Sequence, residues 1–278
     1  MLIASILRRL RHGPLRGLAP LWLFLGNRYR NFILRLPRDV FVKHHIGPYG
    51  PFSLHAYFAF SNFREWGKGH NNGFVPLIES CRGKDCVLDI GGHIGLVAIS
   101  MGSVLGANGK VYCFEPSIIN YTFLLKHLTA NRIQNVRPID LIVGSANDEV
   151  IFFEHDRPAG QNSLGAAAGD GLEYLPVHRK QVTLDSFCHD HHLCPEIIKI
   201  DVEGAETAVI KGARDVLTRH RPTIFLSIHP RKLLDLGSST KELMALLTGL
   251  DYICREVDGS FVGAFRLAEY LVVPKECL

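Results

Sequence analysis

The sequence predicts a doubly wound, Rossmann-like α/β fold: a mostly parallel sheet with an antiparallel edge, preceded by an N-terminal helical extension. Three observations predict it. Short apolar strands alternate with amphipathic helices from Cys86 onward, a glycine turn follows the first of these strands, and two strands close the chain as a pair.

In order, CVLDI (86–90) reads as a buried strand, followed by glycines and an apolar helix over 95–105. KVYCF (110–114) is a second strand, after which Pro116-Ser117 opens a helix to about Arg132 with an apolar stripe of Ile119, Phe123, Leu124 and Leu128. VRPIDLIV (136–143) is a third strand, with EVIFFEH (149–155) beside it as a hairpin arm. QVTLDSF (181–187) leads into the buried strand EIIKID (196–201), and a helix spans 204–219. TIFLSI (223–228), a helix near 239–249, YICREV (252–257) and EYLVVP (269–274) complete the sheet. Residues 37–80 are rich in Gly, His and aromatics and read as irregular, with a short helix at 74–80.

At 278 residues, 47% hydrophobic and 21% charged, the chain suits one core with an appendage, divided here as 1–73 and 74–278. Its basicity is local. Residues 1–45 carry nine Arg or Lys and a single acid, Asp39, whereas the remainder is slightly acidic. The core therefore gives no argument for nucleic acid as a partner. Seven cysteines without C-x-x-C spacing suit a reducing, cytoplasmic setting. The arginines of MLIASILRRLRH follow the apolar run, the reverse of a secretory leader, and LAPLWLFL (18–25) is far short of the ~20 residues that cross a bilayer.

In such a sheet, ligands bind beyond the carboxyl ends of the strands. Three clusters land there. Asp89, Ile90, Gly91, Gly92, His93 and Gly95 belong to D-I-G-G-H-I-G, where Gly91 and Gly92 permit a tight turn and Gly95 a close approach of helix to ligand. The spacing is not the G-x-G-x-x-G of nicotinamide enzymes. Glu115, followed by Pro116, ends the second strand, where a carboxylate can accept from both ribose hydroxyls of a nucleoside. The third cluster, I-K-I-D-V-E-G-A-E (198–206), delivers Asp201 to the rim with Glu203 and Glu206 behind it, and S-I-H-P brings His229 to the next strand end. Three acids at a helix start also complement its dipole. A carboxylate and an imidazole on one rim can share general-base work, and a divalent cation on Asp201 stays open.

These motifs, taken with V-T-L-D-S-F and K-G-A over about residues 74–230, resemble the FkbM family of S-adenosylmethionine-dependent methyltransferases. The resemblance implies a class I methyltransferase sheet, S-adenosylmethionine as cofactor on the 89–95 loop and Glu115, and O-methylation of a hydroxyl on a sugar, glycan or natural-product acceptor. Two positions depart from the family pattern: Gly92-His93 stands where Ala-Asn is usual, and Ser227 where an acid is usual. Both keep alive a second reading, a methyltransferase-like binding protein without catalysis. A nicotinamide-dependent oxidoreductase is a more distant one.

C-H-D-H-H-L-C (188–194) looks like a metal cluster, but its spacing matches no zinc pattern and it reads as a solvated linker. The loop 159–171 brings Gln161, Asn162 and Ser163 near the rim, as acceptor contacts or simply as a loop. Residues 1–36 read as helical and basic. They are expected either to lie on an anionic membrane from the cytoplasmic side, or to pack on the core or a second subunit as a lid. Pro14, Gly17, Pro20 and Gly26 interrupt the apolar face and tilt the reading towards the lid.

Overall fold

In a computed structural model, residues 18–165 and 173–277 are described; positions 1–17 of the N-terminal extension, 166–172 in and after the glycine-rich loop, and 278 lie outside them. The chain divides into two compact units, Met1–Glu65 and Trp66–Leu278.

The first unit contains helix α1 (Ala19–Leu34) and a hairpin of β1 (Phe41–Ile46) and β2 (Tyr49–His55). Helix α1 runs straight through Gly26, and its Pro20 sits in the first turn, where the missing N–H costs nothing. Pro20 and Gly26 therefore do not interrupt it, while Pro14 and Gly17 lie outside the described residues. The hairpin replaces the irregular segment expected over 37–80; Phe41 pairs with His55 and Lys43 with Ser53. Pro51 and the flanking glycines disguise it, and a two-stranded ribbon tolerates a proline that a central strand would not.

The second unit opens with α2 (Phe74–Ser80) and holds a seven-stranded sheet in the order β11-β12-β10-β9-β3-β4-β5. Its parallel part comprises β3 (Cys86–Ile90), β4 (Lys110–Phe114), β5 (Val136–Ile139), β9 (Ile197–Ile200) and β10 (Thr223–Ile228). Two antiparallel strands, β11 (Tyr252–Glu256) and β12 (Ala268–Pro274), form the expected edge. The chain winds outward from β3 through β4 to β5, then returns to β9 on the other side, so the switch point lies between β3 and β9. Leu88, Ile198, Ile224 and Leu226 are fully buried in the main core; each such side chain contributes about 1.5–3 kcal/mol.

Helices follow the strands as patterned: α3 (Leu96–Gly102), then α4 (Ile118–Ala130), whose N-cap Ser117 accepts from the Asn120 N–H. Three expectations need correction. The single strand 136–143 divides: β5 stays in the main sheet, while β6 (Ile142–Val143) joins a three-stranded sheet with β7 (Asp148–Glu154) and β8 (Leu175–Val182). The segment 181–190 ends β8 and becomes α5 (Leu184–Asp190), capped by Thr183. The helix over 204–219 likewise divides, into α6 (Glu206–Lys211) and α7 (Arg214–His220). At the break, a Cβ on Gly212 would lie 1.9 Å from the Gly144 carbonyl oxygen. The Asp185 carboxylate then accepts from the Asp215 and Val216 N–H groups and starts the second helix. Helices α8 (Pro230–Asp235) and α9 (Thr240–Gly249) complete the unit.

Candidate active site

A cavity of about 650 Å³ opens at the carboxyl edge of the parallel strands, wholly within the second unit. Its first wall is the glycine turn after β3. Gly91 and Gly92 both donate to the Phe114 carbonyl, tying the turn to the end of β4. Gly91 has φ +88°, and a Cβ there would lie 1.9 Å from the Asp201 carbonyl oxygen. At Gly92 the obstacle is the Cys113 sulfur, 2.1 Å from an added Cβ. Gly95 faces Leu124 of α4 rather than a ligand, so the close approach it permits is between helices. Neither Gly95 nor Asp89 lines the cavity. Asp89 is buried behind it, accepts from the Cys113 thiol, and is pushed up to about 6 by burial, with Lys199 opposing.

Ile90, Gly91, Gly92, His93, Glu115 and Pro116 do line the cavity. Glu115 is the anchor. One carboxylate oxygen accepts from the His93 N–H at 2.7 Å; the other accepts from the Ser117 N–H at 2.9 Å and the Asn120 amide at 3.4 Å. Burial lifts its pKa to about 7 against these donors. A carboxylate offers about four acceptor sites, and three are taken. The remaining one suits a single hydroxyl, a narrower role than two ribose contacts. His93 has φ +49°, a region that Asn and His visit more readily than most side chains. That shared tolerance accounts for His standing where the family pattern has Asn. Burial holds its imidazole neutral, with a pKa of about 4.

The opposite wall is charged. Lys199 of β9 is only 2% exposed, and its Nζ stands 3.0 Å from Asp201 Oδ2, 3.7 Å from Glu269 Oε1 and 3.3 Å from Ser227 Oγ. Burial alone would lower its pKa; the charges of Asp201, Glu269 and Asp89 outweigh that and raise it. Asp201 runs the other way, burial being outweighed by Lys199 and His229, so it stays ionised. His229, at the end of β10, sets Nδ1 2.8 Å from Glu206 Oε1, while its Nε2 faces Asp201 at 3.7 Å and Glu203 at 3.6 Å. Glu203 is in turn paired with Lys232 at 2.6 Å.

The structure thus brings Asp201 and His229 together as expected and adds Lys199, Glu206 and Glu269. A lysine inside an otherwise Ile-rich buried strand was the signal for Lys199. Glu269 had none, because its role depends on pairing: it lies opposite Ser227 in the β10–β12 ladder. The acid missing at position 227 is supplied by the neighbouring strand. Gln161, Asn162 and Ser163 also line the cavity. The 188–194 segment forms the end of α5 and a turn; among the described residues, the His/Cys/Asp/Glu group compact enough for a metal ion is Asp201, Glu203 and His229.

The profile of the methyltransferase FkbM domain matches residues 45–254, three quarters of the chain. The chain belongs to the FkbM methyltransferase family. An FkbM methyltransferase from Methylobacillus flagellatus KT is 20% identical with a TM-score of 0.43, the match covering 68% of this chain and 43% of that one. The present chain therefore spans less than half the length of that relative. A Streptococcus mutans methyltransferase crystallised with SAH (9% identity, TM-score 0.43) matches over 74% of this chain and 96% of its own. M. jannaschii TYW2 with AdoMet (11%, TM-score 0.40) matches over 86% of each chain. No curated protein matches.

Membership of the FkbM methyltransferase family implies S-adenosylmethionine as the cofactor. The cavity fits it. The volume lies within the usual ligand range, and two buried nitrogens on its wall, His93 Nε2 and Asn162 Nδ2, have no hydrogen-bond partner among the described residues. Buried polar atoms of this kind are normally satisfied, and a polar ligand would satisfy them. Gly91 to His93, Glu115 and Pro116 would hold the nucleoside part.

Proposed function

We propose that this enzyme methylates an alcohol oxygen on a sugar, glycan or natural-product acceptor, with His229 as general base. The observation that carries the reading is the His229–Glu206 pair. Glu206 is fully buried and accepts the Nδ1 proton, which leaves the Nε2 lone pair directed at the rim beside Asp201. S-adenosylmethionine supplies a methyl group already activated on a sulfonium. The chain's own task is to align the acceptor hydroxyl and remove its proton as the new C–O bond forms and the C–S bond breaks. Nε2 takes that proton, Asp201 stabilises the resulting imidazolium, and Lys199 keeps Asp201 ionised. Gln161 and Ser163 give the acceptor further polar contacts. All seven thiols are free, which supports a cytoplasmic enzyme.

Burial lowers the His229 pKa, but the Glu206 hydrogen bond and the charges of Glu203 and Asp201 raise it above the ordinary value overall. The base form therefore appears only as pH rises through that raised pKa. Turnover of labelled cofactor on a panel of sugar and polyketide alcohols should climb across that range. His229→Ala should lower kcat by about 10²–10⁴ with S-adenosylhomocysteine affinity unchanged. Full activity in both His229→Ala and Asp201→Asn would sink the assignment.

A second reading rests on the ligand atoms of Asp201, Glu203 and His229, which lie within 4.8 Å of one another. A divalent cation there would acidify the alcohol directly. Lys199 and Lys232 already pair with the same two carboxylates, so the first reading expects turnover to survive EDTA. Loss on chelation and recovery with Mg²⁺ or Mn²⁺ would favour the second.

A further inference from the structure

Helix α1 packs within its own unit through one side. Tyr29 donates to the Ala56 carbonyl at 2.9 Å and meets the Phe60 ring edge-on at 4.9 Å, and Ile33 is buried. A different side is left bare by the described residues. Leu21, Phe24, Leu25 and Phe32 are each 47–62% exposed. At ~100° per residue they fall within about 100° of one another, an apolar stripe shared with Arg28 and Arg35. Scattered exposed apolar residues need no explanation, but a contiguous stripe does.

The charge around the stripe decides the occupant. Helix α1 contains no acid; the exposed Arg28 and Arg35 lie on the same side as the stripe, whereas Arg30 lies on the opposite side over the Tyr57 ring. The Arg28 guanidinium lies 5.9 Å from the Phe24 ring centre, an arrangement in which the stem covers apolar surface while the head stays wet. Residues 1–45 hold nine cations against one acid. A second copy would bring the same positive charge to the contact and be repelled. A surface that is both apolar and negative is required.

We infer that helix α1 docks flat on an anionic lipid bilayer, with Leu21, Phe24, Leu25 and Phe32 entering the interface and the arginines meeting lipid phosphates. Its 16 residues span about 24 Å, short of the ~30 Å hydrocarbon core, and no described helix is long and apolar enough to cross a membrane. Flat insertion is the geometry left to a basic helix of this length.

The experiment is co-sedimentation of the full chain with vesicles of phosphatidylcholine alone or with 30% phosphatidylglycerol, at 50 and 300 mM NaCl. Binding should be confined to the anionic vesicles and fall with salt. F24S/F32S should lose most of it, and Arg28→Gln and Arg35→Gln should each weaken it roughly fivefold. Unchanged far-UV circular dichroism and S-adenosylhomocysteine affinity in each variant separate this loss from unfolding. Three results overturn the inference: no pelleting with anionic vesicles, equal pelleting with neutral ones, or F24S/F32S binding like the parent. A concentration-dependent dimer abolished by F24S/F32S, without vesicle binding, would assign the stripe to self-association instead.

Discussion

At the β3–β4 end of the cavity the chain relies on backbone turns and missing side chains, whereas at the β9–β10 end it relies on paired charges. Gly91 and Gly92 are hemmed in by Asp201 and Cys113, so that wall is defined by what does not fit. Lys199 and Asp201 come from β9 and its carboxyl end and Glu269 from β12, and their geometry is held by mutual neutralisation. The first wall should respond to changes of size and the second to changes of charge.

The largest break in that contrast is Lys199→Met. It keeps the volume but leaves Asp89, Asp201 and Glu269 without their cation, and chemical denaturation should show a loss of about 3–5 kcal/mol. At the other wall, Gly92→Ala should cost about 1–3 kcal/mol by overpacking against the Cys113 sulfur. Adding Cys113→Ala should recover most of it; an unrelieved double variant would mean that the turn, and not the sulfur, sets the limit.

Glu115 sharpens the comparison, being a titratable group on the size-limited wall. Its pKa of about 7 means that the ionised acceptor form grows as pH rises through neutrality. Calorimetric affinity for S-adenosylhomocysteine should therefore strengthen from pH 6 to 8. Glu115→Gln should flatten the dependence and weaken binding by about 1–3 kcal/mol at pH 8. The smallest effect belongs to His93→Asn, which preserves a residue tolerant of φ +49° and should shift the unfolding free energy by less than about 1 kcal/mol. His93→Val should cost about 1–3 kcal/mol through backbone strain.

What was legible in the sequence follows the same division. Strand ends, the glycine turn, Glu115, Asp201 and His229 are local features, readable from runs of a few residues. The sequence cannot tell a ligand from a side chain at Gly95, because a glycine records only that something approaches closely, and here that is Leu124. The break at Gly212 hinges on a carbonyl 68 positions earlier in the chain, which no local pattern carries. The β1–β2 hairpin was hidden by Pro51 and by His-rich strands that lack clean alternation. The apparent deficit at Ser227 disappears only when the ladder register is known.

The direction of β12 has a consequence for the order of assembly. Parallel strands deliver their last residues to the carboxyl edge, but an antiparallel neighbour delivers its first. Glu269 therefore reaches the rim from the beginning of the final strand, while its partner Lys199 is synthesised 70 residues earlier. Until the ribosome has passed residue 269, a nascent sheet containing β9 and β10 lacks part of the counter-charge for a lysine destined for burial. The charged wall of the cavity thus becomes self-consistent only once β12 has been made, well after β9 and β10 that carry the rest of it.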